Sequence, residues 1–244
     1  MSDFREFESQ NRADIETMGR DAELRRLTQK WFERATAYRY SYHFRWMGLP
    51  IIQFPQDIMA MQELIWEVKP ELVIETGVAR GGSVAFYASI LELIGGSGRV
   101  VGIDVDIRPH NRAAIEAHPM ARRIALIEGS SVHPDTISQV RELARPCRRV
   151  LVALDSNHTR EHVLQELELY SSFVTPGSYL VVFDTCVEWT PPELIGERPW
   201  GKGNSPWTAV QAFLQTTDRF AVDIELATKL QLTVCQDGFL RCLK

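Results

Sequence analysis

Cysteine is scarce and scattered. The four thiols, Cys147, Cys186, Cys235 and Cys242, form neither a Cys-x-x-Cys pair nor a spaced framework, which argues against a disulfide scaffold and a thiolate zinc site. Long apolar runs are also missing. None approaches the roughly 20 residues that span a bilayer, and the start Met-Ser-Asp-Phe-Arg-Glu lacks the basic and apolar regions of a secretion signal. A soluble cytoplasmic protein with reduced thiols and no membrane partner is the expectation. Basic charge is short too: 27 Lys and Arg face 32 Asp and Glu, for a net charge of −5. Nucleic-acid binding needs a concentrated basic face. The short clusters at Arg122-Arg123 and Arg145 to Arg149 flank predicted strands and read as solvated loop ends.

What is present is a regular alternation of short apolar runs and helical segments. The 244 residues admit one large α/β domain or two small ones, and 45% hydrophobic content suits a globular core. Residues 1–20 are polar and acidic and suggest a loose arm or a frayed helix. Apolar residues at helical spacing (Leu24, Leu27, Trp31, Ala35, Tyr38) then predict an amphipathic helix over about 22–42. Its aromatic density leaves core packing, a dimer contact and a lid open. Residues 46–55 are broken by proline and glycine, and a helix follows from Asp57 to Val68.

From there, strands are predicted at 72–76, 100–104, 124–128, 150–155 and 178–184. Helices at 83–94, 109–117, 134–143 and 159–173 separate them. Right-handed crossovers and a parallel sheet follow. Residues 185–205 lose all periodicity, as functional or disordered loops do. A helix from Pro206 to about Thr216, a strand at 220–224 and a Gln236-Asp-Gly238 turn complete the chain. The ending reads as a hairpin with an antiparallel last strand. The expected fold is α/β: a Rossmann-like, mostly parallel sheet with a C-terminal antiparallel strand and helices on both faces. It is read as one domain over 70–244 behind an N-terminal helical extension, 1–69.

The stretch Leu72-Val-Ile-Glu-Thr-Gly-Val-Ala-Arg-Gly-Gly-Ser83 organises the rest. An apolar strand ends in Glu75 and turns through Gly77, Gly81 and Gly82, where backbone can approach a ligand. Ser83 is placed to cap the next helix. Regular G-x-G-x-x-G spacing is absent, which disfavours a nicotinamide-dependent oxidoreductase. Every predicted parallel strand terminates in an acid: Glu75, Asp104, Glu128, Asp155 and Asp184. Ligands of such sheets lie at those carboxyl ends. Asp104 suits ribose hydroxyls or a helix cap. Glu128-Gly-Ser130-Ser131 suits an adenine edge or a cap. Asp155 with His158 supports a metal site or a general base. Asp155 with Asp184 suits a hard divalent cation, and without one their repulsion raises one pKa. His133-Pro-Asp135 has iron-triad spacing but lacks a second histidine, so helix capping is the reading there.

Three motifs in this order resemble the cephalosporin hydroxylase / rhamnosyl O-methyltransferase family. They are Leu72-Val-Ile-Glu-Thr-Gly with Gly81-Gly-Ser, Leu154-Asp-Ser-Asn-His, and Gly177-Ser-Tyr-Leu-Val-Val-Phe-Asp-Thr. The resemblance runs from about Trp46 to the C-terminus, including Gly203-Asn-Ser-Pro-Trp-Thr-Ala-Val. It implies a class I S-adenosylmethionine methyltransferase fold and Mg²⁺-assisted O-methylation of a sugar or other natural-product hydroxyl. By position, Glu75, Gly77, Gly81, Ser83, Asp104, Ser130, Ser131 and Asp155 would border S-adenosylmethionine. Asp155 and Asp184 would hold Mg²⁺, and His158 with Asp155 would be catalytic. Trp189, Trp200 and Trp207 in the irregular loop would shape the acceptor pocket.

Two positions depart from the family pattern. Phe183 stands where an acid precedes the final aspartate, and Asn157 stands where the family has a second Asp. Glu188 is a further acid able to complete the metal set, and a metal-free base mechanism is the alternative. A non-catalytic S-adenosylmethionine-binding protein is a second reading. The expected partner is a small-molecule hydroxyl acceptor, with a homodimer or higher homo-oligomer as a further expectation.

Overall fold

In the computed structural model, residues 2–244 are described. Seven strands form one sheet: β1 (Leu72–Thr76), β2 (Arg99–Asp104), β3 (Ile124–Glu128), β4 (Val150–Leu154), β5 (Tyr179–Val182), β6 (Phe220–Val222) and β7 (Phe239–Cys242). Their order is β3-β2-β1-β4-β5-β7-β6. The first five run parallel, while β7 lies antiparallel to both β5 and β6. The order reverses between β1 and β4, which stand side by side with Glu75 opposite Ala153. This is the crevice where ligands of such sheets bind.

Helices cover both faces because the strands are apolar on both. Val73 joins the core packed by α3 (Pro55–Val68) and α4 (Gly82–Ile94). Leu72 and Ile74 join the opposite core, with α6 (Pro134–Ala144), α7 (Arg160–Tyr170) and α9 (Pro206–Leu214). Alternating side-chain direction explains the split. A further helix, α5 (Pro109–Glu116), links β2 to β3.

The predicted helices and strands of the sheet recur with three changes. Residues 2–20 form a continuous helix, α1 (Ser2–Arg20), lying against α10 (Ile224–Leu230); Met1 lies outside the described residues. The next helix is shorter than expected: α2 (Ala22–Thr36) gives way to a 3₁₀ turn at Tyr40–His43 after Arg39 adopts φ +55°. The third change is α10 itself, which fills the connection between β6 and β7 and went unread. Its start is marked by Asp223, whose side chain accepts from the Leu226 amide at 3.0 Å. Elsewhere the boundaries agree closely. α3 ends at Val68, and Lys69 caps it in the left-handed conformation before Pro70.

The irregular stretch 185–205 is ordered by its own polar groups. It contains a 3₁₀ turn, Thr185–Glu188, and a short helix, α8 (Pro192–Ile195). Glu188 accepts from the Gly203 amide at 2.9 Å and from the Ser205 hydroxyl at 2.7 Å. Asn204 accepts from the Arg160 amide at 2.9 Å, tying the loop to α7.

Of the N-terminal aromatics Phe32 packs inward, while Phe4, Phe7 and Tyr38 stay exposed. Phe32 is 7% exposed, with its ring 5.8 Å from Phe54. Trp31 and Tyr40 meet Phe54 edge-on. Among the described residues no helix is long and apolar enough to cross a membrane. Truncation of Phe32 to alanine is expected to cost about 3 kcal/mol, read as a lowered midpoint in urea unfolding; an unchanged midpoint would show that α2 does not contribute to the core.

Candidate active site

β1 delivers the chain to the switch point and the glycine loop turns it away. Gly77 has φ +89°, and a Cβ there would lie 2.0 Å from the Asp155 carbonyl oxygen. Gly82 is as confined, since its Cβ would lie 2.3 Å from the Pro50 carbonyl. These contacts bring the β1 turn, the loop after β4 and the segment 50–53 together around a cleft of about 200 Å³. Gly77, Ser83, Asp155, His158 and Asp184 line it. Gly81 is the N-cap of α4 in a left-handed conformation.

Several side chains serve other tasks than expected. Ser83 does not cap α4; its hydroxyl donates to Glu75 Oε2 at 2.8 Å. Asp104 Oδ2 accepts from the amides of Val78 and Ala79, at 2.9 and 3.0 Å, so it fixes the glycine loop. Ser131 is buried against His162, and neither it, Ser130 nor Asp104 lines the cleft. Glu128 pairs with Arg112 on the surface. His133 caps α6, its Nδ1 accepting from the Asp135 amide, which explains the His-Pro-Asp spacing.

The third cluster does converge. One ligand atom each of Asp155, His158 and Asp184 lies within 4.8 Å of the others. His158 Nε2 is 3.5 Å from Asp184 Oδ2. Asp184 takes φ +54°, unusual for a residue other than glycine. Burial, then the nearby Asp184 and Glu75, pushes the Asp155 carboxyl well above the usual carboxylate range. Glu75 is pushed up to about 8 by burial, with the Ser83 bond pulling the other way. The floor of the cleft is therefore crowded with acid.

Phe183 and Asn157 offer no ligand there. Phe183 is 1% exposed in the apolar core, its amide continuing the ladder to the Leu154 carbonyl. Asn157 Oδ1 accepts from the amide and hydroxyl of Thr159 at the start of α7. Glu188 is committed to the loop and does not replace them. A divalent cation nevertheless fits the two carboxylates. The Asp155 carboxylate accepts no hydrogen bond among the described residues, although it is surrounded by other acids.

Unmet polar groups also lie beneath the glycine loop. The Gln53 amide, the Tyr87 hydroxyl and Glu75 Oε1 are buried as neighbours, Tyr87 standing between the other two without a well-aligned hydrogen bond to either. Such groups call for a ligand or water. A donor amide beside a carboxyl can hold the ammonium and carboxylate of an amino-acid head group.

A second cleft of about 210 Å³ adjoins the first, and the two share Tyr42, His158 and Asp184. Trp200 lines it, with its ring 4.8 Å from that of His158. Trp189 and Trp207 do not; they pack on each other at 5.4 Å, and Trp207 Nε1 donates to Asp237. Tyr42, Gln53 and a buried network of Ser156, His162 and Glu166 escaped the sequence reading. Ser156 Oγ donates to Glu166 Oε1 at 2.7 Å. The strand-end pattern could not reveal them, because Tyr42 and Gln53 come from the segment before the sheet. Helical spacing of His162 and Glu166 was the one available signal.

The sequence profile of rhamnosyl O-methyltransferase/CmcI matches residues 38–243. This chain belongs to that family. A rhamnosyl O-methyltransferase of Mycobacterium leprae (strain TN) is 31% identical over 199 residues, covering 80% of this chain and 81% of that protein. One of Mycobacterium tuberculosis (strain H37Rv) is 30% identical over 200 residues, covering 80% and 76%. Among solved structures, an apo structure of CmcI-N160 covers 83% of this chain and 77% of that one, at TM-score 0.61 and 21% identity. CmcI-D160 with Mg and SAM covers 83% and 78%, at TM-score 0.56 and 18% identity. MycE from mycinamycin biosynthesis, with Mg and SAH, covers 87% and 54%, at TM-score 0.52 and 16% identity. These likenesses show the same fold: a class I O-methyltransferase sheet with its antiparallel end.

One acid beside the family site has a measurable signature. Asp57 is fully buried in the first turn of α3, where it accepts from the Thr233 hydroxyl and, at 3.1 Å, from the Val234 amide. Burial pushes its pKa from 3.8 up to about 7. The folded protein thus holds this proton to higher pH than the unfolded chain, and stability is lost as pH rises from about 4 to about 7. Asp57→Asn removes that loss. Relative to wild type the variant should gain on the order of 3 kcal/mol between pH 4 and pH 7, measured by urea unfolding at both; a gap independent of pH would contradict the buried proton.

Proposed function

We propose that this protein transfers a methyl group from S-adenosylmethionine to a hydroxyl of a sugar or other natural-product small molecule. The observation that carries the reading is the meeting of two clefts at Tyr42, His158 and Asp184. One has a glycine loop, the half-buried Asp155 and the Gln53 amide; the other mixes aromatic and aliphatic walls with hydroxyl groups. Methyl transfer needs this arrangement, with the donor on one side of a shared opening and the acceptor on the other.

The chain's residues divide the work. The Gln53 amide and Glu75 suit the methionine head group, and the Gly77–Arg80 turn offers backbone to the nucleoside. Asp104 acts through that turn, holding two of its amides. When bound, the donor supplies an electrophilic methyl carried by a sulfonium. Positioning the acceptor oxygen at the opening removes much of the entropic barrier. His158 takes the hydroxyl proton, and Asp184, 3.5 Å from its Nε2, orients the imidazole. Asp155 and Asp184 are the residues to hold Mg²⁺, which when bound lowers the acceptor hydroxyl's pKa. The His158–Asp184 pair favours catalysis over mere binding, because a pure cofactor-binding site has no use for a base at the mouth of the second cleft.

The test separates chemistry from binding. His158→Gln is expected to lower kcat at least about 100-fold while calorimetry shows S-adenosylmethionine affinity unchanged. S-adenosylhomocysteine release across a panel of rhamnosides and phenols reads the rate. Turnover within a few-fold of wild type would remove His158 from the mechanism. Failure of the wild-type protein to bind S-adenosylmethionine would sink the reading itself.

A further inference from the structure

The loops at the carboxyl ends of the parallel strands leave in two pairs. Those after β1 and β2 turn toward α4 and α5, on the side of Val84 and Ile115. Those after β3 and β4 turn toward α6 and α7, on the side of Val140 and Val163. A ligand in the crevice lies between the two pairs. The first pair is tied together by Asp104, through the Val78 and Ala79 amides. The second pair has its own tie, made from one face of α7.

His162, Glu166 and Tyr170 recur every four residues along α7 and so share that face. Glu166 is fully buried and accepts from the Ser156 hydroxyl at 2.7 Å. That bond uses the only hydroxyl proton of Ser156. Toward His162 Nε2, 3.2 Å away, Ser156 is therefore an acceptor, and the nitrogen carries the proton. The same nitrogen lies 3.1 Å from the Ser131 hydroxyl and 3.5 Å from Glu166 Oε1. The Tyr170 hydroxyl completes the tie by donating to the Ser131 carbonyl at 2.8 Å. Ser131 and Ser156 thus meet at one imidazole, although β2 and β1 separate β3 from β4 in the sheet.

Two features narrow the role of this tie. Both serines and the carboxylate crowd a single ring nitrogen, so no acid–imidazole–hydroxyl series exists to activate a nucleophile. Glu166 Oε2 is buried without a partner, and apolar residues stabilise a fold as well as such a buried polar pair does. What the polar tie adds is a fixed spacing. Ser156 lines the first cleft, and its Cα lies 3.0 Å from where a Gly77 Cβ would stand. Its position therefore sets the crevice wall opposite the glycine turn.

We propose that His162 is a positioning residue of the donor site. It locks the loops after β3 and β4 at the spacing that receives the nucleoside of S-adenosylmethionine, and Glu166 and Tyr170 hold the lock. This rests on the methyltransferase reading. His162 itself lines neither cleft and acts through Ser131 and Ser156. Without it the ligand must order the two loops on binding, at a cost in affinity.

Calorimetry on the full chain tests this with S-adenosylhomocysteine and 5′-methylthioadenosine, which share the nucleoside and differ at the amino-acid end. His162→Leu should weaken both by the same factor, at least about ten-fold for two lost hydrogen bonds. His162→Gln, whose amide nitrogen still donates to the serines, should bind both within about two-fold of wild type. Should His162→Leu fail to fold, Ser131→Ala removes one arm of the tie and should weaken both probes about five-fold. Wild-type affinity in either of these variants would overturn the proposal, as would a loss that differs between the two probes. A His162→Gln protein as weak as His162→Leu would overturn it too, since packing of the ring and not its hydrogen bonds would then matter. Wild-type protein that binds S-adenosylhomocysteine but not 5′-methylthioadenosine would place the binding energy at the amino-acid end and contradict a nucleoside lock. Wild-type protein that binds neither probe would instead defeat the methyltransferase reading.

Discussion

The site depends on one close approach. The chain leaving β1 passes so near the loop after β4 that Gly77 has no room for a side chain beside the Asp155 carbonyl. Two parallel strands at a switch point diverge into opposite faces, and this contact holds their ends together before they part. Everything chemical follows from it. The glycine turn presents its backbone to the first cleft, while the half-buried Asp155 lines that cleft beside it and His158 reaches the second cleft three residues on. The Asp104 carboxylate clamps the turn from the β2 side, so the loop is fixed at both flanks.

A second constraint is charge. Asp57, Glu75, Asp155 and Asp184 are gathered beneath the clefts, and burial holds the first three in or toward the protonated state. A positively charged ligand would lower these pKa values and let the acids ionise, and a sulfonium or a divalent cation both meet that condition. Phe183 adds an aromatic ring to the core and no charge to this crowd. Asp155 and Asp184 keep His158 as their neighbour.

Much of this was legible in the sequence because the parallel strands are buried on both faces and read as unbroken apolar runs. Leu72–Ile74 and Leu151–Val152 admit few other structures. The acids closing them pointed to Asp155 and Asp184, which the fold brings together with His158. The reading failed where a residue's task is set by tertiary contact. Ser83 has cap chemistry at a cap position, but Gly81 already takes that position and the hydroxyl turns to Glu75. Asp104 has two amides within reach and binds them. α10 is only seven residues long, too short for periodicity to declare it. Tyr42 and Gln53 precede the sheet, and nothing in their local sequence announces that the segment folds back over the cleft. The aromatic spacing of α2 was visible, but only the structure shows Phe32 and Phe54 in contact.

The central claim is that methyl donor and acceptor meet at the opening shared by Tyr42, His158 and Asp184. A crystal structure of the full chain with S-adenosylhomocysteine bound tests it most directly. The account predicts the nucleoside along the Gly77–Arg80 turn, the amino-acid end beside Gln53 and Glu75, and the sulfur facing His158 across that opening. A sulfur directed away from the second cleft, or a ligand held outside the β1–β4 crevice, would contradict it.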